Sequence, residues 1–107
     1  MQEFKFPVVS SDKDTQNIEG TISVLIDERF VRVTTKARRD YKDELLGWKE
    51  GKYDIVETVK KRDVSEVYIL YKNEPNLYLV SFGPDIEIED EKQAKDFFNA
   101  VEQWYLK

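Results

Sequence analysis

Apolar and polar positions alternate along most of this chain and change to helical spacing only near its end. Residues 4–9 read as a first strand, and Pro7 within it points to an edge or a bend, because proline cannot donate to a ladder. Residues 10–19 are polar and read as a loop. Over 20–26, Ile22, Val24 and Ile26 fall on one face and Thr21, Ser23 and Leu25 on the other. Asp27-Glu28-Arg29 closes a hairpin into residues 30–36, where Val31 and Val33 oppose Arg32 and Thr34. Residues 36–52 lose this regularity. Tyr41, Leu45 and Trp48 lie at helical spacing, which predicts a short helix over 40–46, and the two glycines bracketing Trp48 predict an irregular excursion there.

Alternation returns over 53–60, with Tyr53, Ile55 and Val59 opposed to Val56 and Thr58. A charged turn at 60–63, a strand over 66–72, turn residues at 73–76, a strand over 77–82 and a turn at 83–85 follow. Ile86 and Ile88 then alternate with acidic residues in a short last strand. Over 90–107, Ala94, Phe97, Phe98, Val101, Trp104 and Tyr105 form an aromatic stripe at helical spacing. Asp90 suits the N-cap, with Gln93 at the capping-box position. No second helix of similar strength exists to receive that stripe, so a sheet must. The expected fold is mostly β: a seven-stranded antiparallel sheet or partly open barrel packed by one C-terminal amphipathic helix. The alternative is an α+β open antiparallel sheet with the helix on one face.

Composition sets the size and removes chemistry. At 107 residues, 40% hydrophobic and 13% aromatic, the chain supports one domain, 1–107, with one core. It has no cysteine, which excludes disulfides and thiol nucleophiles, and no histidine, the commonest general base and transition-metal ligand. No glycine-rich phosphate loop, nucleophile elbow or metal spacing is present, so no catalytic, cofactor-binding or metal-binding residue is assigned and an enzyme is not expected. Asp12 and Asp14 begin a calcium-loop pattern that fails where Asn17, Glu19 and Ser23 replace its glycine, apolar residue and glutamate. The N-terminus has neither a basic start nor an apolar run, and no stretch is long enough to span a membrane, which predicts a soluble cytoplasmic protein.

Net charge is −5 but unevenly spread: residues 1–28 carry −4, residues 29–62 carry +5 and residues 63–107 carry −6. An acidic chain is a poor general ligand for nucleic acid, whose affinity for proteins is mostly electrostatic. The basic middle leaves room for a local anion-binding face.

Seven strands followed by one amphipathic helix carrying Trp104 resemble the pleckstrin-homology (PH) superfold, a partly open barrel closed at one end by a C-terminal helix with a buried tryptophan. Phosphoinositide-binding members carry a basic pattern between their first two strands. Here that loop has Lys13 against Asp12, Asp14 and Glu19, so lipid binding is not implied. The resemblance implies instead a module that binds peptides or proteins, an inference by analogy of fold.

Three candidate surfaces follow. A basic cluster, Lys36, Arg38, Arg39 and Lys42, with the turn Lys60, Lys61 and Arg62, could meet an acidic protein surface or, less readily, anionic headgroups. Trp48, with Tyr41 near it, could anchor a partner or equally form a lid over the core. The acidic run Asp85, Glu87, Glu89, Asp90 and Glu91 could imitate DNA phosphates, but guarding an edge strand and capping the helix is the better reading of it. The expected function is a non-enzymatic PH-like interaction module, of bacterial or phage type by its compactness, contacting another protein through 36–52. The alternative is a small acidic, phage-type DNA-mimic inhibitor of a nucleic-acid enzyme, acting through 85–91. Oligomeric state is left open.

Overall fold

A computed structural model describes residues 1–9, 15–73 and 76–107. The chain runs β1 (Gln2–Pro7), β2 (Thr15–Ile26), β3 (Phe30–Asp43), β4 (Gly47–Lys60), a single 3-10 turn at Lys61–Asp63, β5 (Tyr68–Lys72), β6 (Leu77–Ser81), β7 (Asp85–Ile88) and α1 (Glu91–Leu106). The expected seven strands and C-terminal helix are present, but the strands do not form one sheet. β1-β2-β3-β4 make an antiparallel meander of four, and β5-β6-β7 a second meander of three. The 3-10 turn and residues 64–67 separate them, where a simple turn was expected. The chain is mostly β, and among the described residues the strands form no closed barrel. Asp12, Asp14 and Lys13, and part of the 73–76 turn, lie outside the described residues.

One core joins both sheets to the helix. Val24, Val31, Val33 and Val59 from the first sheet meet Val80, Ile86 and Ile88 from the second, under Ala94, Phe97, Val101 and Trp104 of α1. Each fully buried valine, isoleucine or phenylalanine contributes roughly 1.5–3 kcal/mol relative to exposure. Phe97 is the hub: its ring lies edge-on to Phe4 at 5.3 Å, Phe6 at 5.1 Å and Phe82 at 5.9 Å between centroids. Burial therefore follows the helical stripe, with Phe98 and Tyr105 half-buried beside it. Tyr105 also donates from its hydroxyl to the Val64 carbonyl at 3.0 Å, tying the last helical turn to the segment between the sheets. Asp90 caps the helix, its Oδ1 accepting from the Gln93 N–H at 3.0 Å.

The largest departure lies at 36–52. No helix forms over 40–46, and no irregular excursion surrounds Trp48. Instead β3 and β4 stay paired without a break from Phe30 opposite Lys60 to Asp43 opposite Gly47. Fourteen residues at about 3.4 Å each extend about 45 Å. The start of β2 follows them, with Thr15 opposite Tyr41. The molecule is accordingly long, 49 × 28 × 22 Å, with a radius of gyration of 14.8 Å. A compact chain of this length would have about 13 Å.

Candidate partner-binding arm

The outer half of β2, β3 and β4 is an arm that leaves the core beyond Val33. Its local structure is well determined by sequence. At the tip, Asp43 Oδ1 accepts from the Leu45 N–H at 2.8 Å and the Leu46 N–H at 3.0 Å, and Gly47 takes the left-handed conformation (φ +77°) that returns the chain. At the inner end Gly20 has φ +147°, and a Cβ there would overlap the Lys36 carbonyl oxygen and stand 2.5 Å from Ala37 Cα. Only glycine permits β2 and β3 to approach there. Further out, β2 bulges between Gln16 and Glu19, and Asn17 donates to Asp40 Oδ2 at 2.8 Å.

Strand alternation divides the basic cluster between two faces. Arg39 and Tyr41 stand on the face continuous with the core, where the Arg39 guanidinium lies 5.6 Å over the Tyr53 ring and Tyr41 covers Gly51. Lys36, Arg38, Lys42 and Trp48 stand on the other face, with Lys42 directly opposite Trp48. Arg38 is already paired, to Glu19 at 3.2 Å and to Glu50 at 2.8 Å. Lys36 lies opposite Asp54. A shallow depression of about 430 Å³ gathers Lys36, Arg38 and Lys52, but with Glu19 and Asp54 among them. The arm is charged rather than basic.

The turn Lys60, Lys61 and Arg62 is remote from this cluster. Lys52, opposite Arg38, and Lys60 are about 27 Å apart along β4. Lys61 instead sits 5.7 Å over the Trp104 ring and 3.5 Å from the Lys107 carbonyl. Trp104 lines an open cleft of about 560 Å³ there, and its buried indole N–H has no partner among the described residues.

The acidic run is largely occupied by structural work. Asp90 caps α1, and Glu91 pairs with Lys95 at 2.6 Å. That ammonium, with a smaller contribution from the Tyr78 hydroxyl, holds the Glu91 carboxyl below the ordinary glutamate range. Glu87 was expected to point outward with the others. It is half-buried opposite Leu79, and its Oε2 is buried without a partner among the described residues. Asp85 and Glu89 remain exposed. Among the described residues, no group of three or more carboxylates is placed to hold a metal ion.

What the arm presents is apolar at its end: Leu45 is 91% exposed, Leu46 68%, Trp48 44% and Tyr41 36%. Leu45 and Leu46 were not singled out from sequence as surface residues. The signal for them was Asp43 and Gly47 at the spacing of a hairpin loop, which makes whatever stands between them a tip. No helix of the described residues is long and apolar enough to cross a membrane. Comparison with protein-family models, curated proteins and solved structures finds no significant match.

Proposed function

We propose that this chain is a non-enzymatic protein-interaction module whose contact surface is the tip of the arm: Leu45, Leu46, Trp48 and Tyr41, with Arg39 and Lys42 beside them. The observation carrying this reading is that large apolar side chains stand exposed at the end of a hairpin, Leu45 and Leu46 in its loop and Trp48 and Tyr41 on its two faces just below. Surfaces that concentrate a tryptophan, a tyrosine and an arginine are those that supply binding hot spots. The order of strands, their division into four and three, and a closing helix that buries Trp104 support placing the module in the PH-like class. The absence of histidine and cysteine supports a non-enzymatic role. The acidic-inhibitor reading draws less support, because capping, pairing and partial burial already employ Asp90, Glu91 and Glu87.

Affinity capture from the source cell tests this. Wild type, a Leu46→Asp/Trp48→Ala variant and a Glu87→Lys/Glu89→Lys variant are compared. Loss of the captured protein with the tip variant alone, at least about 30-fold in affinity, is expected for a tryptophan-centred hot spot. Loss with the acidic-run variant alone would overturn the assignment.

A further inference from the structure

Among the described residues no strand pairs with the outer edge of β4. β4 is the last strand of its sheet and pairs, among the described residues, only with β3. Its fourteen residues leave one side of the backbone free, the arrangement that invites another strand. Its side chains are also less covered than its composition demands. Ile55 is 46% exposed and Val56 62%, although the run Ile55-Val56-Glu57-Thr58-Val59 has the β-branched character of a half-buried strand. Only Val59 is buried.

We infer that β4 pairs with β4 of a second copy of this chain, antiparallel about a twofold axis at Tyr53. Alternate residues turn their N–H and C=O outward, so a twofold antiparallel pair must be centred on a residue, not between two. Centring on Tyr53 places Lys52 opposite Asp54 and Lys49 opposite Glu57, and the symmetry makes each of these pairs twice. No like charges meet. The paired segment then runs from Gly47 to Val59, nearly the whole strand. Neighbouring registers fail. Centring on Lys52 sets that lysine against itself and Glu50 against Asp54; centring on Asp54 sets two aspartates together. Opposite charges across a ladder stabilise and like charges destabilise. Centring on Gly51 or Ile55 also avoids like charges, but each makes a single kind of opposite-charge pair over a shorter segment, so Tyr53, with two kinds over 47–59, is the favoured centre.

The same register sets Ile55 opposite Gly51 and the two Tyr53 rings beside each other on the core-side face, while Val56 gains Glu50 as its neighbour. The tip loop at 44–46 extends past the paired segment and stays open to solvent. Leu45 and Leu46 therefore stay available to the partner proposed for the tip, while Trp48 lies within the paired segment, opposite Thr58 of the second copy.

The test uses two exposed positions. Lys52→Asp puts aspartate against Asp54 in a self-pair; Asp54→Lys puts lysine against Lys52. Each variant alone is expected to weaken dimerisation roughly tenfold or more, as two attractive pairs become repulsive. An equimolar mixture restores both attractions and is expected to form a heterodimer as tightly as wild type. Sedimentation equilibrium on the full chain reads all four samples, with far-UV circular dichroism confirming that each variant is folded. A wild type that remains monomeric at millimolar concentration overturns the inference, as does a dimer indifferent to either substitution. Failure of the mixture to associate overturns the register and the inference with it.

Discussion

Tyr41 lies across Gly51 on the neighbouring strand: a Cβ at Gly51 would stand 3.1 Å from Tyr41 Cε1 and 3.3 Å from Cδ1. A glycine in mid-strand gives up entropy and packing, and an aromatic ring laid over it from the adjacent strand restores part of the cover. Tyr41 is free enough to move by the few tenths of an ångström that a methyl needs. Gly51→Ala is therefore expected to change stability by less than about 0.5 kcal/mol, since alanine limits the unfolded chain and the ring can give way. Gly20 is the contrast. There the obstacle is backbone, and φ is +147°. Gly20→Ala is expected to cost more than about 2 kcal/mol. Urea denaturation of the two variants, side by side, measures both.

Phe97 ties the edge strand of the first sheet to the second sheet. Its ring touches Phe4 and Phe6 from β1 and Phe82 just after β6, and none of its surface is exposed. Phe97→Ala is expected to lose about 3–5 kcal/mol, from transfer and from a cavity that three rings cannot fill. Phe97→Leu keeps most of the volume and is expected to lose less than half as much. Chemical denaturation gives the values, and near-ultraviolet circular dichroism reports the loss of aromatic order in the alanine variant.

The legible parts of this fold are those where one side of an element meets the core. Val31 and Val33 opposed to Arg32 and Thr34 announce a strand because one face is buried, and the α1 stripe announces a helix for the same reason. Past Val33 the strands leave the core, so both faces become polar or half-exposed and the alternation fades. What holds the arm is the ladder, with Arg38 between Glu19 and Glu50 and Tyr41 over Gly51. None of these contacts is visible until the pairing is known. The helical spacing of Tyr41, Leu45 and Trp48 is accidental, since Tyr41 and Trp48 stand on opposite faces of one hairpin. The division into two sheets escapes notice for a related reason. Lys60-Lys61-Arg62-Asp63 has the chemistry of a turn, and only the burial of Val64, whose carbonyl accepts from Tyr105, makes it a crossing between sheets. Of the candidate surface, Trp48, Tyr41, Arg39 and Lys42 were expected within one irregular excursion, whereas the hairpin sets Arg39 and Tyr41 on one face and Lys42 and Trp48 on the other, and Lys60–Arg62 joined them only by charge.

The start of α1 makes a prediction about pH. Asp90→Ala removes the cap and is expected to cost about 1 kcal/mol, with Asp90→Ser recovering most of it. Glu91 titrates below the ordinary glutamate value because Lys95 donates to it, and Lys95 titrates above the ordinary lysine value for the same reason. The Glu91 contribution is thus present above the ordinary glutamate value and is lost as pH falls through the lowered one. The Lys95 contribution is complete below the ordinary lysine value and is lost as pH rises through the raised one. Tyr78 titrates above the ordinary tyrosine value, through partial burial first and Glu91 second, so its contribution also disappears on the alkaline side. Carboxyl NMR titration is expected to show the Glu91 midpoint moving upward in Lys95→Gln. A midpoint that does not move would show that the pair is not formed in solution.

The tip is expected to be irrelevant to stability. Leu45, Leu46 and Trp48 are exposed at the end of the arm, and the turn beneath them is held by Asp43 and Gly47. Leu45→Ser, Leu46→Ser and Trp48→Thr, each measured at dilute concentration, are expected to stay within about 0.5 kcal/mol of wild type. Val33→Ala, on the same hairpin but within the core, is expected to lose about 2 kcal/mol. The two tryptophans allow a spectroscopic check. Trp48 is 44% exposed and Trp104 is 5% exposed. Trp48→Thr removes the wetter fluorophore, so the emission maximum of the folded protein is expected to move to shorter wavelength while the unfolding midpoint stays in place. An unchanged maximum, or a midpoint that falls with it, would mean that Trp48 is packed against the body of the protein and is not presented at the end of an arm.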